Sequence, residues 1–382
     1  MFLTNQDLVS LIDLRHELHR FPEVSGDERE TAARVVTFLK PLSPARILTD
    51  LGGHGVAAVF DSGSPGPTLL FRSELDALPI EELSDAPHRS TIAGKGHLCG
   101  HDGHSTILTA MAIGLSRQPP KRGRVVLLFQ PAEENGAGAA AVIADPRFSE
   151  IVPDFAFSLH NMPGLPLGHV ALTDGPVNCA SRGMRIRLTG KTSHASEPEK
   201  GVSPMQAVAR LMPALAALSH SRPPAPDFLL VTITHAELGE PAFGISPGAA
   251  EIWATLRTLT DDRMDALIEA AEILVHDAAR KDGLQVEIGY EDVFHHCENA
   301  PEAVAHLERA LATEGIPFGP GDLPMRASED FGRFRQHAPT AMFFLGAGER
   351  HPALHNPDYD FPDDLISTGS RVFMRVVRDI LG

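Results

Sequence analysis

The chain has 382 residues, 43% of them apolar, and carries 50 acidic against 33 basic side chains for a formal net charge of −17. Its length exceeds what one hydrophobic core usually supports, so two domains are expected. An acidic balance with no basic stripe argues against a polyanionic partner such as nucleic acid. No run of eighteen apolar residues occurs, the polar stretch Thr4, Asn5, Gln6, Asp7 opens the chain, and three cysteines (Cys99, Cys179, Cys297) are too few for a disulfide framework. A cytoplasmic protein with reduced thiols and no membrane partner is expected.

In chain order, apolar spacing predicts helices over Asp7–Arg20 and Asp27–Lys40, then strands over Gly55–Asp61 and Thr68–Glu74. The pattern then alternates: helix His104–Ser116, buried strand Arg124–Gln130, small-residue helix Gly136–Ala144 and strand Phe155–His160. That rhythm indicates an α/β layer with a mixed, largely parallel sheet flanked by helices. From about Ser181 the order becomes strand Met184–Leu188, helix Ser203–Ser219, strands Phe228–His235 and Ala250–Arg257, helix Asp261–Arg280 and strand Gln285–Tyr290. This β-α-β-β-α-β order is that of a ferredoxin-like α+β unit. It reads as an insertion, residues 182–297, into a discontinuous first domain formed by 1–181 and 298–382, which ends in a helix near Leu365–Leu381. Ser221–Asp227 is Pro-rich and is expected to be an exposed connection.

The chemistry concentrates in a few segments. Gly96-His97-Leu98-Cys99-Gly100-His101-Asp102-Gly103-His104 packs a thiol, three imidazoles and a carboxylate into nine residues before a helix. Thiolate and imidazole suit zinc or a neighbouring divalent metal, and the Cys-Gly-His spacing lets alternate side chains turn to one side. Strand Arg124–Gln130 runs into Glu133-Glu134, where adjacent carboxylates at a strand end can divide the labour of metal ligand and general base. Taken alone, that pair reads better as the acidic first turn of the following helix, where negative charge is favoured anyway. His160 at a strand end and His355 among turn residues add two further candidates.

Other patterns fail on their chemistry. Gly244-Ile-Ser246-Pro-Gly248 fits the serine-esterase elbow, but Pro247 lacks the N–H an oxyanion hole needs. His16-Glu17-Leu18-His19 is one residue short of the zincin spacing and reads as part of a surface helix. His295-His296-Cys297 has no accompanying carboxylate cluster and reads as structural, and Gly94-Lys-Gly96 lacks the third glycine of a dinucleotide fingerprint.

Phe71-Arg-Ser-Glu-Leu-Asp76-Ala-Leu-Pro-Ile, Cys99-Gly-His-Asp-Gly-His104, Phe129-Gln-Pro-Ala-Glu-Glu134, Gly190-Lys-Thr-Ser-His194-Ala, Ser328-Glu-Asp-Phe331 and Leu354-His355-Asn-Pro together closely resemble the aminoacylase/carboxypeptidase family of metallohydrolases. Within it they are most similar to the hippurate hydrolases and plant auxin-conjugate hydrolases. The resemblance spans nearly the whole chain, with the motifs in the family's order. It implies metal ligands at Cys99, His101, Glu134, His160 and His355, with Cys99 bridging if two ions bind, and Glu133 as general base. It further implies Asp76 orienting a ligand, His194 polarising the scissile carbonyl, and Arg257 pairing with a substrate carboxylate. The implied cofactor is one or two divalent ions per subunit (zinc, manganese, cobalt or nickel), the implied activity is hydrolysis of N-acyl amino acids or related small amides, and the implied assembly is a homodimer or higher homo-oligomer through the inserted lid domain. A dipeptidase or carboxypeptidase uses the same chemistry. From other classes, a cysteine hydrolase using Cys99 and a catalytically silent metal-binding module are the alternatives. Two departures stand out: Glu74 where Asp is usual, and Phe243-Gly244-Ile245-Ser246-Pro247 where the branch commonly has Asn-Val-Ile-Pro.

Overall fold

A computed structural model describes residues 2–222 and 225–382. The middle of the expected Pro-rich connection, Pro223 and Pro224, lies outside the described residues. The chain divides into two compact units, one of residues 1–177, 297–323 and 329–382, the other of 178–296 and 324–328. The second unit begins at Asn178 rather than 182 because the strand expected at Met184–Leu188 extends over Ala180–Thr189.

The first unit is built on an eight-stranded sheet in the order Arg46–Leu51, Gly55–Asp61, Arg124–Gln130, Thr68–Glu74, Phe155–Pro163, Thr340–Gly348, Val170–Ala171, Phe318–Gly319. Thr68–Glu74 runs parallel to both Arg124–Gln130 and Phe155–Pro163, and the latter is parallel to Thr340–Gly348. Antiparallel pairing of Gly55–Asp61 with both of its neighbours makes the sheet mixed. The central strands are buried along nearly their whole length, which is why they read as unbroken apolar runs rather than alternating ones. Helix His101–Arg117 is buried from His101 through Leu115, and small residues at Gly103, Ala110, Ala112 and Gly114 let it lie this deep. The first helix, Asn5–Arg20, starts in a capping box: Thr4 accepts from the Asp7 N–H, and the Asp7 carboxylate accepts from Thr4.

The second unit has a four-stranded antiparallel sheet in the order Leu229–Leu238, Ala249–Thr258, Ala180–Thr189, Gln285–Phe294. Helices Met205–Ala216 and Asp261–Asp282 complete a β-α-β-β-α-β chain order. Ala250, Ile252, Ala254 and Leu256, every second residue of one strand, join Leu211, Leu215, Leu267 and Val275 of the helices in one core. Strands Leu229–Leu238 and Gln285–Phe294 are the sheet's edges. Among the described residues, no helix is long and apolar enough to cross a membrane.

One reading of the sequence is overturned. The His16–His19 segment is no mere surface face: His19 and its neighbour Arg15 are fully buried, because both face carboxylates from distant parts of the chain. The His295-His296 pair is braced by Asp261 at the start of a helix, His295 Nδ1 lying 2.9 Å from Asp261 Oδ2 and the His296 N–H donating to Oδ1 at 3.1 Å.

Candidate metal centre

In a largely parallel sheet the carboxyl ends of neighbouring strands open onto one edge, where ligands bind. Here that edge gathers Asp76 after Thr68–Glu74, Glu133 and Glu134 after Arg124–Gln130, and His160 within Phe155–Pro163, a strand that continues three residues past the expected end. Gly100, at φ +89°, turns the chain into helix His101–Arg117; a Cβ there would lie 2.4 Å from the Asn161 amide nitrogen. That turn brings Cys99 and His101 to the same edge. His355 arrives from the loop before the last helix, Asp364–Leu381, and its N–H donates to the Leu98 carbonyl at 2.8 Å.

The donor atoms converge. Cys99 Sγ lies 3.5 Å from His160 Nε2, and Glu134 Oε1 lies 3.8 Å from both His101 Nε2 and His355 Nε2. Cys99, His101 and His160 form one group with ligand atoms within 4.8 Å of one another, and Cys99, Glu134 and His355 form a second. The thiol is common to both.

The imidazoles present their second nitrogens inward. His101 Nδ1 donates to the Asp76 carbonyl at 2.9 Å and His160 Nδ1 to the Asn161 carbonyl at 2.7 Å, leaving each Nε2 with a lone pair facing the cluster. His101 Nε2 and Glu134 Oε1 are buried without a hydrogen-bond partner in the described structure, a costly state for polar atoms unless a cation takes the place between them. The electrostatics point the same way. Burial and the neighbouring Glu134 and Glu133 push the Cys99 thiol well above its usual range, and burial raises Glu134 to about 7. For His101 the surrounding carboxylates outweigh burial and raise it to about 10. Burial also lowers His160 to about 3 and His355 below its usual value, so these two stay neutral imidazoles; acids held toward neutrality by burial beside neutral imidazoles and a carboxylate-flanked His101 fit a divalent metal.

Glu133 sits beside this cluster, Oε2 4.0 Å from His101 Nε2, while its Oε1 accepts from the Asp330 N–H at 3.4 Å. Ala132, in a left-handed conformation at φ +50° and held by its N–H to Glu28, makes the sharp turn that leads from the strand into the two glutamates. Asp76 accepts from the Ser25 hydroxyl at 2.7 Å and the Glu134 N–H at 3.0 Å, bracing the loop that carries Glu134.

Several supporting residues lay unassigned in the quoted motifs. His104 Nδ1 donates to Glu74 at 2.7 Å, and its Nε2 accepts from the Asn161 N–H at 3.1 Å. The Asn161 amide donates in turn to the Cys99 carbonyl at 2.6 Å. Glu74, the departure from the usual Asp, thus spans His104 and Arg72. Arg72, wholly buried, also pairs with Glu329 at 2.9 Å and with Asp330, and donates to Gln130 at 3.0 Å. Replacing it by Met would deprive three buried carboxylates of a counter-charge, with His104 left as the remaining partner of Glu74. Arg72→Met is expected to destabilise the protein by about 3–5 kcal/mol. A urea midpoint equal to that of the wild type would show that the network contributes nothing.

His194 and Arg257 belong to the second unit. His194 is exposed in the two-residue strand Ser193–His194, paired with Ile245–Ser246, and its Nδ1 lies 2.7 Å from the Ser196 hydroxyl. Arg257 is partly buried and donates to the Ser328 hydroxyl at 2.9 Å and the Arg326 carbonyl at 3.0 Å; among the described residues no carboxylate pairs with it.

A buried thiol, imidazoles and paired carboxylates at the carboxyl edge of a parallel sheet define a site of the metallohydrolase class. Comparison with known proteins agrees. The profile described as peptidase family M20/M25/M40 matches residues 70–379. The chain is 31% identical over 367 residues to the hippurate hydrolase of Campylobacter jejuni, covering 95% of this chain and 94% of that one. It is 30% identical over 369 residues to an N-acetyl-L-cysteine deacetylase of Bacillus subtilis, covering 94% and 85%. A crystal structure of a dinuclear metal-binding M20 peptidase from Bacillus subtilis superposes with a TM-score of 0.83 at 25% identity, covering 99% of each chain. The chain belongs to peptidase family M20/M25/M40, and it is a metal-dependent amidohydrolase.

Proposed function

We propose that this protein hydrolyses the amide bond of N-acyl amino acids or related small amides, releasing a carboxylic acid and an amino acid. The observation that carries the reading is the pair of donor groups sharing Cys99, with Glu133 beside them. Relatives named for hippurate and N-acetylcysteine hydrolysis support the substrate class. In this reading Cys99, His101, Glu134, His160 and His355 would hold one or two divalent ions, Cys99 being common to both donor groups. Such an ion supplies Lewis-acid polarisation and a water acidic enough to lose its proton near neutral pH.

The chain's own groups do the rest. Glu133 takes the proton of the attacking water and delivers it to the leaving nitrogen; its burial, with Glu329 and Glu134 nearby, pushes it well above the usual carboxylate range, as a carboxylate that must accept a proton requires. Asp76 fixes His101 through the Nδ1 side. His194 donates to the carbonyl oxygen as negative charge develops there. Arg257, a guanidinium without a carboxylate partner among the described residues, takes the substrate carboxylate. The second unit acts as a lid and dimerises through an exposed sheet edge, with His194 serving the partner's site. We place the enzyme in the cytoplasm.

The test is a panel of N-acyl amino acids and dipeptides assayed with added zinc, manganese, cobalt and nickel. Faster turnover of acyl amino acids than of dipeptides supports the proposal, and the reverse order selects the dipeptidase or carboxypeptidase reading. The ligand role of Cys99 makes a separate demand. Cys99 is expected to react with iodoacetamide more slowly in zinc-loaded than in metal-free protein, while the buried Cys179 and Cys297 change little. Equal rates at Cys99 in the two states would refute coordination.

A further inference from the structure

The first helix contributes no ligand, yet two of its side chains reach the loops that do. Arg15 and His19 lie one turn apart on the same face and are both wholly buried. His19 donates through Nδ1 to Asp102 Oδ2 at 2.9 Å and through Nε2 to Glu82 Oε1 at 3.2 Å. A histidine that faces a carboxylate at each nitrogen must carry both protons. Asp102 and Glu82 indeed outweigh the effect of burial and raise it to about 9.

Arg15 Nη1 donates to the same Asp102 oxygen at 3.1 Å and to Asp360 at 2.7 Å, and its Nε donates to Asp363. His19, His88 and Asp360 by themselves have the composition of a cation site. The Arg15 guanidinium, 2.8 Å from His88 Nε2 and 2.7 Å from Asp360, already supplies that cation. Asp102 is covalently next to His101, and Asp360 and Asp363 follow His355 in one loop. The helix also precedes residue 70, where the family match begins.

We propose that Arg15 and His19 are positioning residues for the metal centre, forming a buried cationic clasp that holds the Cys99–His101 turn and the His355 loop in register. Without the clasp, Asp102 becomes a buried carboxylate lacking its counter-charges, and it relaxes toward water with His101 attached. The loss falls on ion retention, although no ligand is altered. This inference rests on the metal-site reading of Cys99, His101, Glu134, His160 and His355.

The experiment measures zinc affinity of the full chain by competition with a chelator, with metal-free folding followed in parallel by circular dichroism. His19→Gln is expected to weaken zinc binding about 10–100-fold while the metal-free protein keeps its secondary structure. Asp363→Asn, at the half-exposed end of the clasp, is expected to weaken it in the same direction by a smaller factor. It decides the matter should His19→Gln not fold. Glu17→Gln, on the exposed face of the same helix, is expected to bind as the wild type does. Wild-type zinc affinity in His19→Gln and Asp363→Asn, with or without a loss of thermal stability, would overturn the clasp. Failure of the wild type itself to bind zinc, manganese or cobalt would instead overturn the metal-site reading.

Discussion

Glu133→Gln is expected to lower turnover about 10²- to 10⁴-fold while metal content stays near that of the wild type. The amide is isosteric with the carboxylate, so it can still accept from the Asp330 N–H, but it has no basic oxygen to take a proton at neutral pH. Glu134→Gln is expected to fail differently. Its Oε1 stands 3.8 Å from both His101 and His355 and has no hydrogen-bond partner in the described structure, so losing its charge removes the carboxylate that, in the proposed reading, holds the ion between the two imidazoles. Metal content should then fall along with activity. The two outcomes are separated by metal analysis of the purified variants, and equal occupancy in both would show that the division of labour between the glutamates is wrong.

Mixed dimers of Glu133→Gln and His194→Ala subunits are expected to regain activity that neither parent has. The reason lies in the proposed arrangement, in which His194 of one subunit completes the site built on its partner's Glu133. Random reassortment makes roughly half the dimers mixed, each with one intact site of two, so recovery should approach about a quarter of wild-type activity. His194 suits such a role because it is exposed on a short two-stranded ribbon beside Phe243 and Ile245, both of which are exposed as well. The measurement is activity after the two variants are unfolded and refolded together, with subunit exchange shown independently by differently tagged chains. Exchange without recovery would leave His194 acting within its own chain or not at all.

The sequence by itself determined the elements whose signal is local. Strands Gly55–Asp61, Thr68–Glu74 and Arg124–Gln130 fall within the expected bounds because each is an apolar run that begins at or directly after a glycine or proline. The second unit was legible as a β-α-β-β-α-β order because its strands and helices differ in period. The metal-type donors stood out by chemistry, since thiol, imidazole and paired carboxylates seldom cluster in a core.

What depended on partners remote in sequence was not legible. Strand Arg46–Leu51 was missed because it is an edge element whose pairing with Gly55–Asp61 alone makes it a strand. Helix His101–Arg117 begins three residues earlier than expected, since its start is set by the left-handed Gly100 packed against Asn161 rather than by a capping side chain. His19 read as a surface residue, and the fold buried it against Glu82 and Asp102, 63 and 83 residues away. Arg72, Glu74, His104 and Asp330 carried no visible role for the same reason. Periodicity and turn chemistry are properties of neighbouring residues and survive in any single sequence. The pairing of a buried charge is fixed only when the tertiary structure excludes water and leaves a particular distant side chain as its one available partner.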